Sequence, residues 1–289
     1  MKHYVTLTTC LLLLTIVATA QIPEVNSMGG WDWPTISKEY VQTLRLKKLY
    51  IYSSGNAPLR GGGEFTYHTA KFMEYDRNGN ITTEGELVGA DTTLMKDYYY
   101  SEKNLLSWEY IEDRVWNKKF KVGHRYNCDG TRFQTKTYEY LNENDLMLVD
   151  TRYYVWDKKK GIPELKEIKI VERSQVVEKQ VFQKSKDGLT LLIEVQSPEE
   201  EILKTVQIDF QKDQQPSRIL KEGENKEEFR YAYDINGNLL EINWYENQES
   251  KGFISYEYDG SGKIAYLKKF TSENTASSVE EFEFDYLIY

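Results

Sequence analysis

The residues able to carry chemistry are few. Past residue 20 the chain has two histidines, His68 and His124, and one cysteine, Cys128. His124 and Cys128 flank a turn, which is the arrangement a thiol nucleophile and its base would need. The same turn puts Cys128 at a loop tip, where a preorganised site is hard to build. A zinc site needs more Cys and His ligands than these three residues supply. Calcium is suggested by Asp76-x-Asn78-x-Asn80 and Asp234-x-Asn236-x-Asn238, with oxygens at alternating positions. A calcium loop, however, needs its glycine at position six and a bidentate Glu at position twelve. Here glycine comes fourth, and position twelve is Leu87 or Tyr245. With 46 acidic residues, no one carboxylate pair stands out for glycoside hydrolysis. We therefore assign no catalytic residue, no metal ligand and no cofactor.

Aromatic residues remain. The chain has 23 tyrosines and 6 tryptophans, and an aromatic face on a sheet can stack on a sugar. Those that recur at fixed places suit a strand ladder. Trp108, Tyr110, Trp116, Trp244 and Tyr245, together with Tyr98 and Tyr99, break that recurrence. They are the candidate ligand-binding residues.

The elements that must position them are repeats. Anchors Tyr52, Tyr75, Tyr100, Tyr126, Trp156, Lys184, Phe210, Tyr233, Tyr258 and Phe284 recur with a period of roughly 25 residues. An extra copy, anchored on Tyr140, falls in the widest gap. After the anchor comes turn chemistry: Asp76-Arg-Asn78-Gly79, Asp234-Ile-Asn236-Gly237 and Asp259-Gly-Ser261-Gly262 suit a type I turn closed by a left-handed glycine. Asn104 and Asn144 take the glycine slot in two copies. This loop length pairs Tyr75 with Ile81, Tyr100 with Leu106, Tyr140 with Leu146, Tyr233 with Leu239 and Tyr258 with Ile264. Each pair sets an aromatic opposite a branched aliphatic, worth roughly 0.2–1 kcal/mol.

Between turns the chain alternates as strands do, for example in Lys204-Thr-Val206-Gln-Ile208-Asp-Phe210. The fold expected is all-β: a long antiparallel β-meander of repeated hairpins over residues 38–289. On the order of 20 strands at ~4.8 Å each would make a sheet roughly 95 Å wide. Open sheets of that width curl or split, so a curled or rolled sheet, or two meanders face to face, is expected.

Residues 1–20 have the form of an export signal: Lys2, an apolar run from Leu7 to Val17, and Ala18-Thr19-Ala20 before a cut ahead of Gln21. Residues 21–37, with Pro23, Gly29-Gly30 and Pro34, are expected to be an irregular lead-in. No transmembrane segment is expected after cleavage, and the destination is periplasm, cell surface or medium. The formal charge is −9, and losing Lys2 makes the chain more acidic still. Nucleic acid, which needs clustered Lys and Arg, is therefore not expected as a partner. Cys128 alone permits no internal disulfide, so burial and strand pairing must hold the fold.

The motifs Tyr75-Asp76-Arg-Asn78-Gly79-Asn-Ile81, Tyr233-Asp234-Ile-Asn236-Gly237-Asn-Leu239 and Tyr258-Asp259-Gly-Ser-Gly262-Lys-Ile264 resemble the YD repeats of bacterial Rhs-type secreted proteins. The resemblance extends over about residues 40–289. It implies a spiralling β-sheet that acts as a shell or stalk; Phe282 to Tyr289 is expected to be a strand, and no toxin-like domain is expected. No catalytic residues carry over. The functional expectation is a secreted, non-enzymatic scaffold or protein-interaction surface that offers open sheet edges to a protein partner. The alternative is a module binding glycans through the off-repeat aromatics.

Overall fold

The computed structural model describes residues 38–53, 57–58, 68–88, 91–158, 163–212, 215–273 and 276–289. The chain divides into units 1–34 and 35–289, and every described residue belongs to the second. The expected signal and most of the lead-in lie in the first, and both lie wholly outside the described residues.

Helix α1 (Lys38–Leu44) leads into β1 (Leu46–Ser53) and the two-residue β2 (Ala57–Pro58). Then follow β3 (His68–Tyr75), β4 (Ile81–Val88), β5 (Asp91–Tyr100), β6 (Leu106–Asp113), β7 (Lys118–Tyr126), β8 (Arg132–Asn142) and β9 (Asp145–Asp157). After these come β10 (Glu164–Glu172), β11 (Gln175–Lys184), β12 (Thr190–Gln196), β13 (Ile202–Phe210) and β14 (Pro216–Glu222). The last five are β15 (Lys226–Tyr233), β16 (Leu239–Glu246), β17 (Glu249–Tyr258), β18 (Ile264–Glu273) and β19 (Ala276–Ile288). At seven residues, α1 is too short to show a helical period in the sequence.

From β3 to β19 each strand pairs antiparallel with the next. The expectation of an open, curled or rolled sheet is wrong. β1 pairs with β3 on one side and with β19 on the other, in register Leu49↔Tyr286 and Ile51↔Phe284. The meander closes into an antiparallel barrel of 18 strands, with β2 extending the ring along β19. Closure satisfies backbone groups that an open meander leaves bare on its first and last strands. Tyr289 adds to the seam: its amide donates to the Arg45 carbonyl at 2.9 Å and its hydroxyl to the Tyr75 carbonyl at 2.5 Å.

The expected hairpin register holds at the anchors. Tyr75↔Ile81, Tyr100↔Leu106, Tyr233↔Leu239 and Tyr258↔Ile264 are direct partners beside a bulge. Gly79, Gly237 and Gly262 adopt φ of 75°, 84° and 80°, and Asn104 adopts 61°. Because one repeat is two strands, these turns emerge at one rim, where α1 also docks. Gln42 Nε2 donates to the Asn78 carbonyl at 2.7 Å. The opposite rim has tighter reversals, with Arg173-Ser174 and Asn247-Gln248 both left-handed as a type I′ turn requires. Tyr140 and Leu146 pair as expected, but their hairpin turns at this second rim and Asn144 is not left-handed. It is no member of the repeat family.

Cross-strand partners share a face. One face carries Leu49, Ile51, Ile193 and Val206, all 0% exposed, and Phe182, Phe229, Ile254 and Phe282, all buried. Side chains splay apart on a convex surface and converge on a concave one. Full burial of residues as small as Val206 marks this as the inward face. Trp108 and Tyr153 stand on the other face and are exposed.

Candidate functional site: an outward aromatic face on β5 to β7

Trp108 is organised by a glycine. It sits opposite Gly123 in the β6–β7 ladder, and Tyr99 sits opposite Trp108 across β5–β6. A Cβ on Gly123 would lie 2.5 Å from Trp108 Cζ3, so the indole occupies the space a side chain there would need. Tyr110 meets Tyr99 edge to face, with ring centroids 5.4 Å apart, a geometry aromatic quadrupoles favour. The Lys121 ammonium stands 4.2 Å from the Trp108 ring centroid and 5.4 Å from that of Tyr110. Trp108 is 41% exposed and Tyr99 52%. The result is a solvent-facing platform of three rings held by strands on a closed frame.

A related arrangement occurs on β1, β3 and β4. Phe72 lies over Gly85, where a Cβ would come within 2.4 Å of the ring. Lys48 stands 4.8 Å from both the Tyr50 and Phe72 rings. There, however, Glu74 pairs with Lys48 at 2.7 Å, and the resulting hydrogen bond raises the lysine pKa against the effect of burial.

The five candidate aromatics are not all brought together. Trp108 and Tyr110 share the platform. Trp116 is 73% exposed at the β6–β7 turn. Trp244 faces inward, stacked on Phe229 with centroids 6.4 Å apart. Its neighbour Tyr245 necessarily faces outward, beneath Arg230 at 4.6 Å. Trp244 thus lies on the inward face away from the platform, and Tyr245 lies eight strands away from Trp108 by the shorter way around the ring. Sequence reasoning missed Lys121 and Gly123. The available signal was a lone glycine inside a strand pattern, which marks close approach by another group.

The inward face of β3 to β9 holds a chain of polar side chains. Lys71 approaches Glu84 at 3.7 Å, and Glu84 pairs with Lys96 at 2.8 Å and accepts the Tyr98 hydroxyl at 2.9 Å. On the next strands, His124 Nε2 meets Glu109 at 2.7 Å and Nδ1 meets Thr135 Oγ1 at 3.1 Å. Thr135 in turn meets the Tyr154 hydroxyl at 3.2 Å. Burial alone would push the Glu84 carboxyl up, but Lys96 and Lys71 hold it below its usual range. Burial pushes the Tyr98 hydroxyl well above its usual value. The His124 side chain is 3% exposed, and both its nitrogens are engaged within the wall. Cys128 is exposed at the β7–β8 turn. Glu84, Lys96, Tyr98, His124, Glu109, Thr135 and Tyr154 thus bond to one another along the inward face of the wall.

The calcium-like spacing is turn chemistry. Asp76 Oδ1 accepts the Asn78 and Asn80 amides at 2.8 and 2.9 Å, and Asp234 repeats the pattern with Asn236 and Asn238. Among the described residues, no three or more His, Cys, Asp or Glu gather to hold a metal. Among the same residues, no helix is long and apolar enough to cross a membrane.

No protein-family profile matches the chain, that of the YD repeats included, and no curated protein matches it. Similar solved structures include a porin-like protein from Bacteroides uniformis, at 8% identity over 84% of this chain and 98% of that one, with a TM-score of 0.44. Another is a porin-like protein from Bacteroides vulgatus, at 12% identity over 84% and 99%, with a TM-score of 0.34. A third is the TcdB2-TccC3-Cdc42 toxin complex, at 8% identity over 80% of this chain and 16% of that one, with a TM-score of 0.33. Similarities of this size fix neither the family nor the function of this chain.

Proposed function

We propose that the chain is an exported, non-enzymatic binding scaffold that recognises saccharide through the Tyr99–Trp108–Tyr110 face. One observation carries the reading: Trp108 lies flat in the gap left by Gly123 and still keeps 41% of its surface in water. Three rigid rings on a closed barrel lose little entropy when a sugar stacks on them. Partner addition at a sheet edge, the mode first expected, is disfavoured because among the described residues the ring leaves no long free edge.

An aqueous setting suits the outward face. Lys169, Lys179, Arg218, Arg230 and Lys268 project from the middle of five strands on that face. Facing lipid, each Lys or Arg would cost roughly 2–4 kcal/mol near the bilayer midplane. This supports a barrel that works in the periplasm, at the cell surface or in the medium.

A second reading, docking of a protein, is favoured by the rim opposite the repeat turns. There Leu141, Leu146, Met147 and Leu148 stand exposed on one hairpin, and Ile202 and Leu203 on another. Affinity electrophoresis of residues 21–289 through gels containing soluble polysaccharides distinguishes the two. Saccharide recognition requires retardation that Trp108→Ala abolishes and Trp116→Ala leaves intact. Free migration through every polysaccharide sinks the first reading.

A further inference from the structure

The ladder around Gly123 places three cations beside the platform. On the same face, Lys121 and Arg125 flank Gly123 two positions to either side, and Lys136 is its direct partner on β8. Trp108 is its partner on β6. The four same-face neighbours of this glycine are thus an indole and three cations. Strand geometry sets Lys121 and Arg125 roughly 13 Å apart at the backbone, about the length of a short oligosaccharide.

Elsewhere on the outward face cations are neutralised. Arg218 pairs with Asp209 at 2.7 Å, Arg230 with Glu228 at 2.8 Å, Lys268 with Glu281 at 3.1 Å and Lys169 with Glu167 at 3.1 Å. Even Lys48, the counterpart of Lys121 in the other ring cluster, has Glu74. Among the described residues, Lys121, Arg125 and Lys136 make no ion pair. The nearby carboxylates are already engaged: Glu112 by Lys119 at 3.2 Å, Asp97 by Thr83 at 3.0 Å, and Glu109 and Glu139 on the inward face by His124 and Lys118. The chain has 46 acidic residues against 37 Lys and Arg, so three adjacent uncompensated cations run against its composition.

Resting on the saccharide reading above, we propose that the ligand of this face is an acidic glycan. One sugar ring stacks on Trp108 and Tyr99, and its carboxylate or sulfate groups are held by Lys121, Arg125 and Lys136. The Lys121 ammonium, now over the indole, is the group that turns toward the anion. Single-stranded nucleic acid also stacks on aromatic faces, but its affinity comes from neutralising many phosphates in a row. A three-cation patch on a chain of charge −9 suits one or two anionic groups.

The test is calorimetric titration of residues 21–289 with polygalacturonate, dextran and an oligothymidylate. The variants are Trp108→Ala and the triple K121Q/R125Q/K136Q, whose three side chains lie on the surface. The expected result is binding of polygalacturonate that weakens with added salt and falls about tenfold or more in the triple variant. Dextran should bind weakly to the wild type, with an affinity that added salt leaves unchanged. Equal affinity for dextran and polygalacturonate, unchanged in the triple variant, overturns the acidic ligand while leaving saccharide recognition standing. Oligothymidylate bound as tightly as polygalacturonate overturns it in favour of a general polyanion site. Failure of both polysaccharides removes this inference and the saccharide reading together. Should Trp108→Ala not fold, the salt dependence of the wild type and the triple variant still decide.

Discussion

The Tyr258 hydroxyl donates to the backbone carbonyl of Leu239 at 2.9 Å, and Leu239 is itself the cross-strand partner of Tyr233. One repeat's anchor thus reaches back to the residue paired with the preceding anchor. The same link joins Tyr100 to Ile81 at 3.0 Å and Tyr233 to Pro216 at 2.8 Å, and in the last copy Tyr286, two residues past the Phe284 anchor, reaches Ile264 at 2.7 Å. Trp156 does it with its indole nitrogen, which donates to the Arg132 carbonyl at 2.6 Å. The residue reached always follows a repeat turn, where the bulge interrupts regular strand pairing. The anchors therefore stitch repeat to repeat along one rim as well as packing within their own hairpins.

Removing one stitch should be measurable without disturbing the ring. Tyr258→Phe keeps the packing against Ile264 and loses the hydroxyl, which should cost about 1 kcal/mol. Tyr258→Ala also loses ring burial and should cost about 3 kcal/mol or more. Urea unfolding of the two variants separates these contributions. Equal stability of Tyr258→Phe and wild type would reduce the link to a coincidence of packing.

The repeat glycines should differ in sensitivity. Gly262 at φ 80° and Gly130 at φ 84° have nothing within 4 Å of an added Cβ. Alanine there meets only the strain of the left-handed region, about 1 kcal/mol. Gly79 at φ 75° has Gln42 Cγ at 2.8 Å and the Lys38 carbonyl at 3.0 Å from that position. Gly79→Ala must also shift α1 and should cost about 2–3 kcal/mol. Thermal melts of the three variants rank them, and equal losses would show that α1 does not pack on this turn in solution.

Turn chemistry was legible because it is local: Asp76, Asn78 and Gly79 specify a bend whatever surrounds them, and loop length then fixes Tyr75 against Ile81. Closure was not legible. Nothing in Leu49 or Ile51 names Tyr286 and Phe284 as partners, since alternating strands fit many neighbours equally well. Nor did counting aromatics separate Trp244 from Trp108. One faces inward and the other outward, and strand parity decides which once the bulges are known. The cations around Gly123 were invisible for the same reason, being spread over two strands.

Gly123 and Trp108 should behave as one unit. Gly123→Ala places a methyl group 2.5 Å from the indole and must lift it from its seat. We expect a loss of about 1–3 kcal/mol and loss of ligand binding. In a Trp108→Ala background the same glycine change should cost almost nothing. The double-mutant cycle then shows a coupling of at least about 1 kcal/mol. Additive losses would mean that the ring does not lie over the glycine.

The β1–β19 seam makes a separate prediction. Deleting residues 276–289 removes β19 and leaves β1 and β18 with unpaired ladder groups. Free edges of this kind template association with another chain. The truncated protein should sediment faster than the full chain and unfold at lower denaturant concentration. A truncation of unchanged size and stability would show that closure is not what holds the ring.

The inward-facing pair of buried Glu84 and half-buried Lys96 sets a pH window. The Glu84 pKa lies below its ordinary value of 4.5, so its contribution is full above that value and is lost as pH falls through the lowered one. Lys96 is raised above 10.5 because Glu84 outweighs the opposing effect of burial, so its contribution is full below 10.5 and is lost at higher pH. Tyr98, raised above 10.0 by burial, also favours the fold below that value and opposes it above. The three groups together give a stability plateau between about pH 5 and pH 10. Glu84→Gln leaves Lys71 and Lys96 without their shared carboxylate in the wall and should lower the plateau by about 2 kcal/mol. It should also flatten the acid limb, because the group that titrates there is gone. Urea midpoints from pH 3 to pH 10 test both effects. Parallel curves for variant and wild type, offset by a constant, would assign the acid limb to other carboxylates.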